Sequence, residues 1–286
     1  MTVAMWLAIG ETAWVIGLSV WIILERRSPV ATLAWVLALA WLPVLGLPLY
    51  LLIGPRRLWR KKLRYRRGRS RVAQASQALR ERTDSESSAR HPAGTDRQLV
   101  KLAENTRQPA PSHASRVELL LGGDACFQDI DRAIREARHH VHLEYYKWNP
   151  DQTGTRFRDL LCDKARQGVE VRLLVDTIGS ARLGRRFVSP LLKAGAQVSW
   201  FNPISLARLR PDLMNFRTHR KIVICDGRVG FTGGMNICDD HDAAVRGDRA
   251  WRDTNVQIEG PPVCDLQLAF LEDWHFATGT APCMKE

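Results

Sequence analysis

Two apolar stretches at the N-terminus constrain this 286-residue chain more than any other feature. Val3 to Leu24 holds a single charge, Glu11, and Ser28 to Pro55 holds none. A helix that crosses the hydrocarbon core needs roughly 20 apolar residues. Each stretch therefore predicts a membrane-spanning helix. The connection Glu25-Arg26-Arg27-Ser28 is short enough to force an antiparallel hairpin. Ser28 suits an N-cap, and Pro29 falls where a helix tolerates proline. Pro43 and Pro48 predict kinks that a packed neighbour can accommodate. Trp6, Trp21, Tyr50 and Trp59 lie near the expected interfaces. A cleaved signal peptide fits poorly, because no basic residue opens the segment and no small-residue cleavage site precedes Glu25.

Charge reinforces this reading. The chain carries a formal +12, yet residues 1–55 sum to zero and residues 56–71 hold ten Lys/Arg and no acid. Only +2 remains for residues 72–286. Such a distribution does not fit a soluble nucleic-acid binder, whose basic surface would lie on the folded domain. Basic residues beside a span stay on the cytoplasmic side, so both the N-terminus and the long C-terminal part are expected in the cytoplasm. The same collar would also sit against anionic headgroups, at about 1 kcal/mol per basic residue. Cysteines 126, 162, 225, 238, 264 and 283 show no CxxC pair or zinc spacing and read as reduced thiols.

Three regions follow: a hairpin over 1–55, a basic juxtamembrane segment and linker over 56–115, and a folded domain over 116–286. The linker is polar, with loop signals at Ser85-Glu86-Ser87-Ser88 and Gln108-Pro109-Ala110-Pro111-Ser112 and a short helix around Arg97–Asn105. In the third region, strands are expected at 117–121, 141–147, 169–176 and 197–201. Helices are expected at 125–139, 155–167 and 187–194. This alternation predicts an α/β layer sandwich with a mostly parallel sheet.

The chemistry concentrates in Thr218-His219-Arg220-Lys221-Ile222-Val223-Ile224-Cys225-Asp226 and the following Gly227 to Asn236. Residues 219–225 read as a strand, so His219 and Lys221 share a face. An imidazole beside an ammonium suits attack on a phosphodiester: one is the nucleophile and the other stabilises the non-bridging oxygens. Asp226 has the opposite parity and reads as an architectural acceptor. Asp226-Gly227 is a hairpin-turn signal that returns the chain through 229–232. Gly233-Gly234 would let backbone approach an anion closely, with Asn236 donating to it. Elsewhere, His139-His140-Val141-His142 suggests a metal site. Strand parity aligns only His140, His142 and Glu144, and a helix C-terminus favours cationic imidazoles, so no metal is expected. Glu144, with Tyr146, either lines the pocket or serves as an acceptor at the core edge. His241, after Asp239-Asp240, reads as a loop residue.

The pattern His219, Lys221, Asp226, Gly233, Gly234, Asn236 resembles the HxKxxxxD and GGxN signature of the phospholipase D superfamily. Further stretches resemble its bacterial cardiolipin synthase branch. These are Ala31 to Trp35, Leu47 to Gly54, Asn215 to Lys221, Trp251-Arg252-Asp253-Thr254-Asn255 and Phe270-Leu271-Glu272-Asp273-Trp274. The resemblance implies an α/β/α sandwich holding one such motif behind two transmembrane helices, in an inner-membrane protein whose catalytic domain is cytoplasmic. It implies no cofactor, a phosphohistidine on His219, phosphate contacts from Lys221, Gly233, Gly234 and Asn236, and Asp253 as the acid that orients a partner histidine. The implied reaction joins two phosphatidylglycerols into cardiolipin and glycerol. Hydrolysis, another acceptor alcohol and a silent membrane-bound half-domain remain open. Family members use two motifs, and no other histidine here has lysine two residues later. The second imidazole is therefore expected from a homodimer partner or from a missing C-terminal half.

Overall fold

The computed structural model describes residues 2–24, 29–42, 98, 100–102, 105, 112–203 and 217–280. The basic collar, Pro43, Pro48 and most of the linker lie outside the described residues, while residues 98, 100–102 and 105 are helical. The chain divides into two units, an N-terminal helical hairpin and an α/β domain.

In the hairpin, α1 (Val3–Leu24) and α2 (Pro29–Trp41) pack through Leu18, Ile22 and Leu39, with Trp21 and Trp35 against them. Large apolar side chains point outward from both helices, among them Trp6, Trp14, Ile16 and Ile23 on α1 and Val30, Leu33 and Trp41 on α2. Among the described residues no helix is long and apolar enough to cross a membrane.

The second unit comprises β1 (Arg116–Leu121), α3 (Gly123–Glu136), β2 (His140–Tyr145), α4 (Gln152–Arg166), β3 (Glu170–Asp176), α5 (Arg185–Lys193), β4 (Gln197–Phe201), β5 (Lys221–Cys225), β6 (Val229–Gly233), β7 (Thr254–Glu259) and α6 (Pro262–Thr278). Among the described residues its strands form one seven-stranded sheet in the order β1-β7-β6-β5-β2-β3-β4. The expectation of a mostly parallel sheet is corrected. Only β2-β3 and β3-β4 are parallel, and the other four pairings are antiparallel. The helical crossovers α4 and α5 give the parallel half, whereas the antiparallel half contains one tight turn, between β5 and β6, and otherwise pairs strands distant in sequence. That turn is Asp226-Gly227, where φ is +53° and +65° and the Arg228 N–H donates to the Cys225 carbonyl at 3.0 Å.

Strand alternation sorts side chains onto two faces. Val141, Leu143, Tyr145 and Val223 meet Phe127, Ile130 and Ile134 of α3 and Phe157 and Leu161 of α4. Leu174, Ile222 and Ile224 meet Phe270, Leu271 and Trp274 of α6. Each fully buried large side chain contributes roughly 1.5–3 kcal/mol. β7 and α6 are not evident from local sequence pattern. α6, pressed on the sheet, buries Gln267 and Asp273 along with its apolar residues and so does not display a clean helical stripe.

Candidate active site

The pairing pattern gives β1, β2, β3, β4 and β6 one direction and β5 and β7 the other. One sheet edge therefore gathers the residues after β2 and β6 and the residues before β5 and β7. These are Tyr146 and Lys147, Gly234 to Asn236, His219 to Lys221, and Asp253. Open α/β sheets place ligands at this kind of edge, beyond the carboxyl ends of the parallel strands.

Residues 217–220 form an extended lead-in, and β5 itself starts at Lys221. Alternation continues through the lead-in. The Thr218 hydroxyl donates to Glu144 Oε1, and the Arg220 guanidinium donates to Asp273 Oδ2 and, at 3.2 Å, to the Ala269 carbonyl. His219 lies between these two anchors and is exposed. Its ring stacks on Tyr146 with centroids 4.0 Å apart and a 30° tilt. Lys221 Nζ lies 5.6 Å from the same Tyr146 ring and donates to the His219 carbonyl at 2.7 Å. Lys221 is only 8% exposed. Burial lowers its pKa below the usual lysine value, and the nearby Asp253 carboxylate opposes that shift. Tyr146 thus acts as a shared floor for the imidazole and the ammonium.

Glu144 reaches this segment from behind. It is fully buried and does not line the pocket. Burial, aided by the Asp273 charge, pushes its carboxyl well above the usual range. Its Oε2 is buried without a hydrogen-bond partner among the described residues, a setting that favours the protonated form. The expected shared face with Tyr146 is corrected, because β2 ends at Tyr145 and the two-residue parity stops there.

Gly233 and Gly234 sit against close neighbours. The Gly234 N–H donates to the Thr254 carbonyl at 3.1 Å, and the Met235 N–H donates to Asn255 Oδ1 at 3.1 Å. Both of these donors are engaged within the protein. What glycine permits here is the approach of side chains: a Cβ on Gly233 would lie 2.2 Å from Asn255 Oδ1, and one on Gly234 would lie 2.0 Å from Asp253 Oδ1. Asp253 is held by the Thr254 N–H, which donates to its Oδ1 at 2.8 Å. Gly234→Ala is accordingly expected to displace that carboxylate and lower turnover by about a hundredfold, the usual cost of a misplacement of about 1 Å. Parallel measurements of rate and melting temperature check this; a rate within twofold of the parent, about assay scatter, contradicts it.

Asn236 is fixed by its acceptor. Its Oδ1 receives the Lys147 N–H at 3.1 Å, and the parallel bridge Trp148–Ile237 ties the two loops together. Because Oδ1 is engaged, the amide offers its Nδ2 donors to a ligand.

Asp226 lies at the opposite sheet edge. Its carboxylate accepts the backbone N–H groups of Arg138, His139 and His140 at 2.8, 2.8 and 2.9 Å. It is a staple between the β5–β6 turn and the loop entering β2, so it makes no contact in the site. A cavity of about 1400 Å³ opens at that same far edge, lined by residues including His140, His142, Arg172 and Gln267. His142 is buried there between Gln267, 2.7 Å from Nδ1, and Arg172, 3.0 Å from Nε2. Burial pushes it down to about 4, so it is neutral and not the cation its place after a helix suggested. Among the described residues no group of three or more His, Cys, Asp or Glu could hold a metal.

Sequence reasoning missed several contributors. Lys147 and Asn255 act through a backbone N–H and a buried amide, which leave no motif. His241 is buried, its ring 5.5 Å from that of Trp251. Tyr146 carried only a parity signal.

Residues 130–274 match the family model described as "Cardiolipin synthase, PLD-like domain", and residues 12–55 match "Phospholipase_D-nuclease N-terminal". The chain belongs to the cardiolipin synthase, phospholipase D-like domain family. It is 40% identical over 268 residues to cardiolipin synthase 1 of Bacillus anthracis, covering 92% of this chain and 52% of that protein. It is 36% identical over 274 residues to cardiolipin synthase of Alkalihalophilus pseudofirmus, covering 96% and 54%. The chain therefore spans about half the length of the curated relatives it matches. Among solved structures, it is similar to a phosphatidylserine synthase of Haemophilus influenzae Rd KW20, with TM-score 0.47 and 18% identity over 61% of this chain and 40% of that one.

Proposed function

We propose that this chain is a membrane phosphatidyltransferase of the cardiolipin synthase type, or one half of such an enzyme. The observation that carries the reading is the gathering of an exposed imidazole, a buried ammonium, an amide held through its oxygen and a carboxylate at one sheet edge. Family membership and the curated relatives support it.

In this reading His219 attacks the phosphorus of phosphatidylglycerol. A P–N bond forms, the P–O bond to the glycerol headgroup breaks, and a general acid protonates the departing glycerol oxygen. The hydroxyl of a second phosphatidylglycerol then loses its proton and attacks. The new P–O bond replaces P–N, giving cardiolipin and restoring His219. Lys221 and Asn236 stabilise the charge on the non-bridging oxygens. Asp253 orients the second imidazole, which comes from a second copy of the chain or from a further half; the twofold length of the relatives supports that division. Water or another alcohol as acceptor would use the same first step.

The N-terminal stretches serve as two membrane spans, with the collar and the α/β domain in the cytoplasm. Support comes from their length and apolarity and from the outward apolar side chains of α1 and α2, which water would disfavour. The first step is tested with phosphatidylglycerol labelled at phosphorus. Membranes containing the active full-length chain should yield an acid-labile, alkali-stable label on the peptide bearing His219. Turnover of the lipid without label on that peptide would sink the assignment.

A further inference from the structure

Next to the catalytic edge lies a surface that the chemistry above does not use. The segment that enters β7 exposes Arg246, Asp248, Arg249, Trp251 and Arg252. Trp251 is 61% exposed, and it is the one aromatic side chain among the exposed large hydrophobics described in the α/β domain. Lys147 Nζ lies 5.7 Å from the centroid of its ring and pairs with Asp240 at 3.0 Å. Arg246 holds the other oxygen of Asp240 at 2.8 Å. Among its exposed charges Arg246, Arg249 and Arg252 outnumber Asp248, while the half-buried Asp239, Asp240 and Asp253 lie beside them. Leu121, 67% exposed, sits opposite Thr254 in the β1–β7 register and so adjoins Asp253 from the other side.

We propose that this patch docks the catalytic edge on an anionic phospholipid surface. Trp251 and Leu121 enter the interfacial layer, and Arg249 and Arg252 contact headgroups. The argument is charge complementarity joined to an exposed indole, the side chain most enriched at membrane–water interfaces. A domain that is otherwise nearly neutral carries this basic, aromatic surface beside the residues that must reach a headgroup. The inference rests on the phosphatidyltransferase reading, for which it names the way the site meets its substrate.

The test uses the full-length chain reconstituted in vesicles of phosphatidylglycerol and phosphatidylethanolamine, with bromine on the acyl chains of the phosphatidylglycerol. Tryptophan emission of the parent should be quenched more than that of Trp251→Phe. The double variant Arg249→Glu/Arg252→Glu should lose this excess quenching. Its transfer rate should fall about tenfold on vesicles yet stay within about twofold on short-chain phospholipid dispersed as monomers. Equal quenching of the parent and Trp251→Phe overturns the proposal. So does conversion of an oligomer to monomer by Trp251→Ala, since the patch would then face protein. Quenching requires no turnover. Intact excess quenching without phosphatidyl transfer would therefore overturn the enzymatic reading and leave the docking surface standing.

Discussion

His219→Ala should reduce cardiolipin formation by about ten-thousandfold while leaving the fold intact, because a covalent nucleophile has no substitute among the neighbouring side chains. The two halves of this expectation have separate causes. The imidazole is exposed and touches the domain through its stack on Tyr146, so its loss costs roughly 0.5–1.5 kcal/mol of stability. Thr218 and Arg220, which anchor the lead-in to Glu144 and Asp273, are untouched. Lipid product measured in membranes containing the active parent or variant, with melting temperature in parallel, checks both halves. Full product from the variant would remove His219 from the mechanism, and a collapsed melting transition would make it a structural residue.

Asp226→Ala should show the reverse pattern, with lost stability and retained chemistry. Three backbone N–H groups converge on one carboxylate, and removing it costs about 3 kcal/mol when each bond, screened by solvent at this surface position, contributes about 1. The alanine must also adopt φ near +53°, where Asn and Asp are better tolerated. Asp226→Asn keeps one oxygen acceptor and the turn, so it should cost about half as much. Burial alone would raise the Asp226 carboxyl, but the three N–H donors and His140 hold it below the usual 3.8. A group with a lowered folded pKa stabilises above its unfolded value, and that contribution is lost as pH falls through the folded one. The gap between parent and Asp226→Ala in denaturant unfolding should therefore be full at neutral pH and shrink below about pH 4. A gap that stays constant down to pH 2, about the foot of the carboxylate range, would show that the staple does not depend on its charge. Because Asp226 sits at the sheet edge away from His219, turnover at permissive temperature should persist.

Much of this was legible in the residues themselves. The Asp226-Gly227 turn, the strand parity that sets Asp226 apart from His219 and Lys221, and the α/β alternation all rest on local rules that hold over a few residues. Parity failed where a strand ended earlier than its apolar pattern, as at Tyr145, and this misplaced Glu144 beside Tyr146. The neighbours of Gly233 and Gly234 were beyond local rules for a different reason. Glycine announces a close approach, but the partner, here Asp253 and Asn255, comes from about twenty residues away, through the pairing of β6 with β7.

The sequence by itself determined the apolar N-terminal stretches, the basic run that follows them and the candidates for the reacting groups, because hydropathy, charge and side-chain chemistry belong to each residue wherever the chain places it. Only the tertiary structure decided which groups meet. Strand direction is set by non-local pairing, and that pairing brings Tyr146 and Lys147, His219 and Lys221, Asn236 and Asp253 to one edge while sending Asp226 to the other. Burial likewise arises only on packing. It is burial that lowers Lys221, raises Glu144 and leaves His219 in the open.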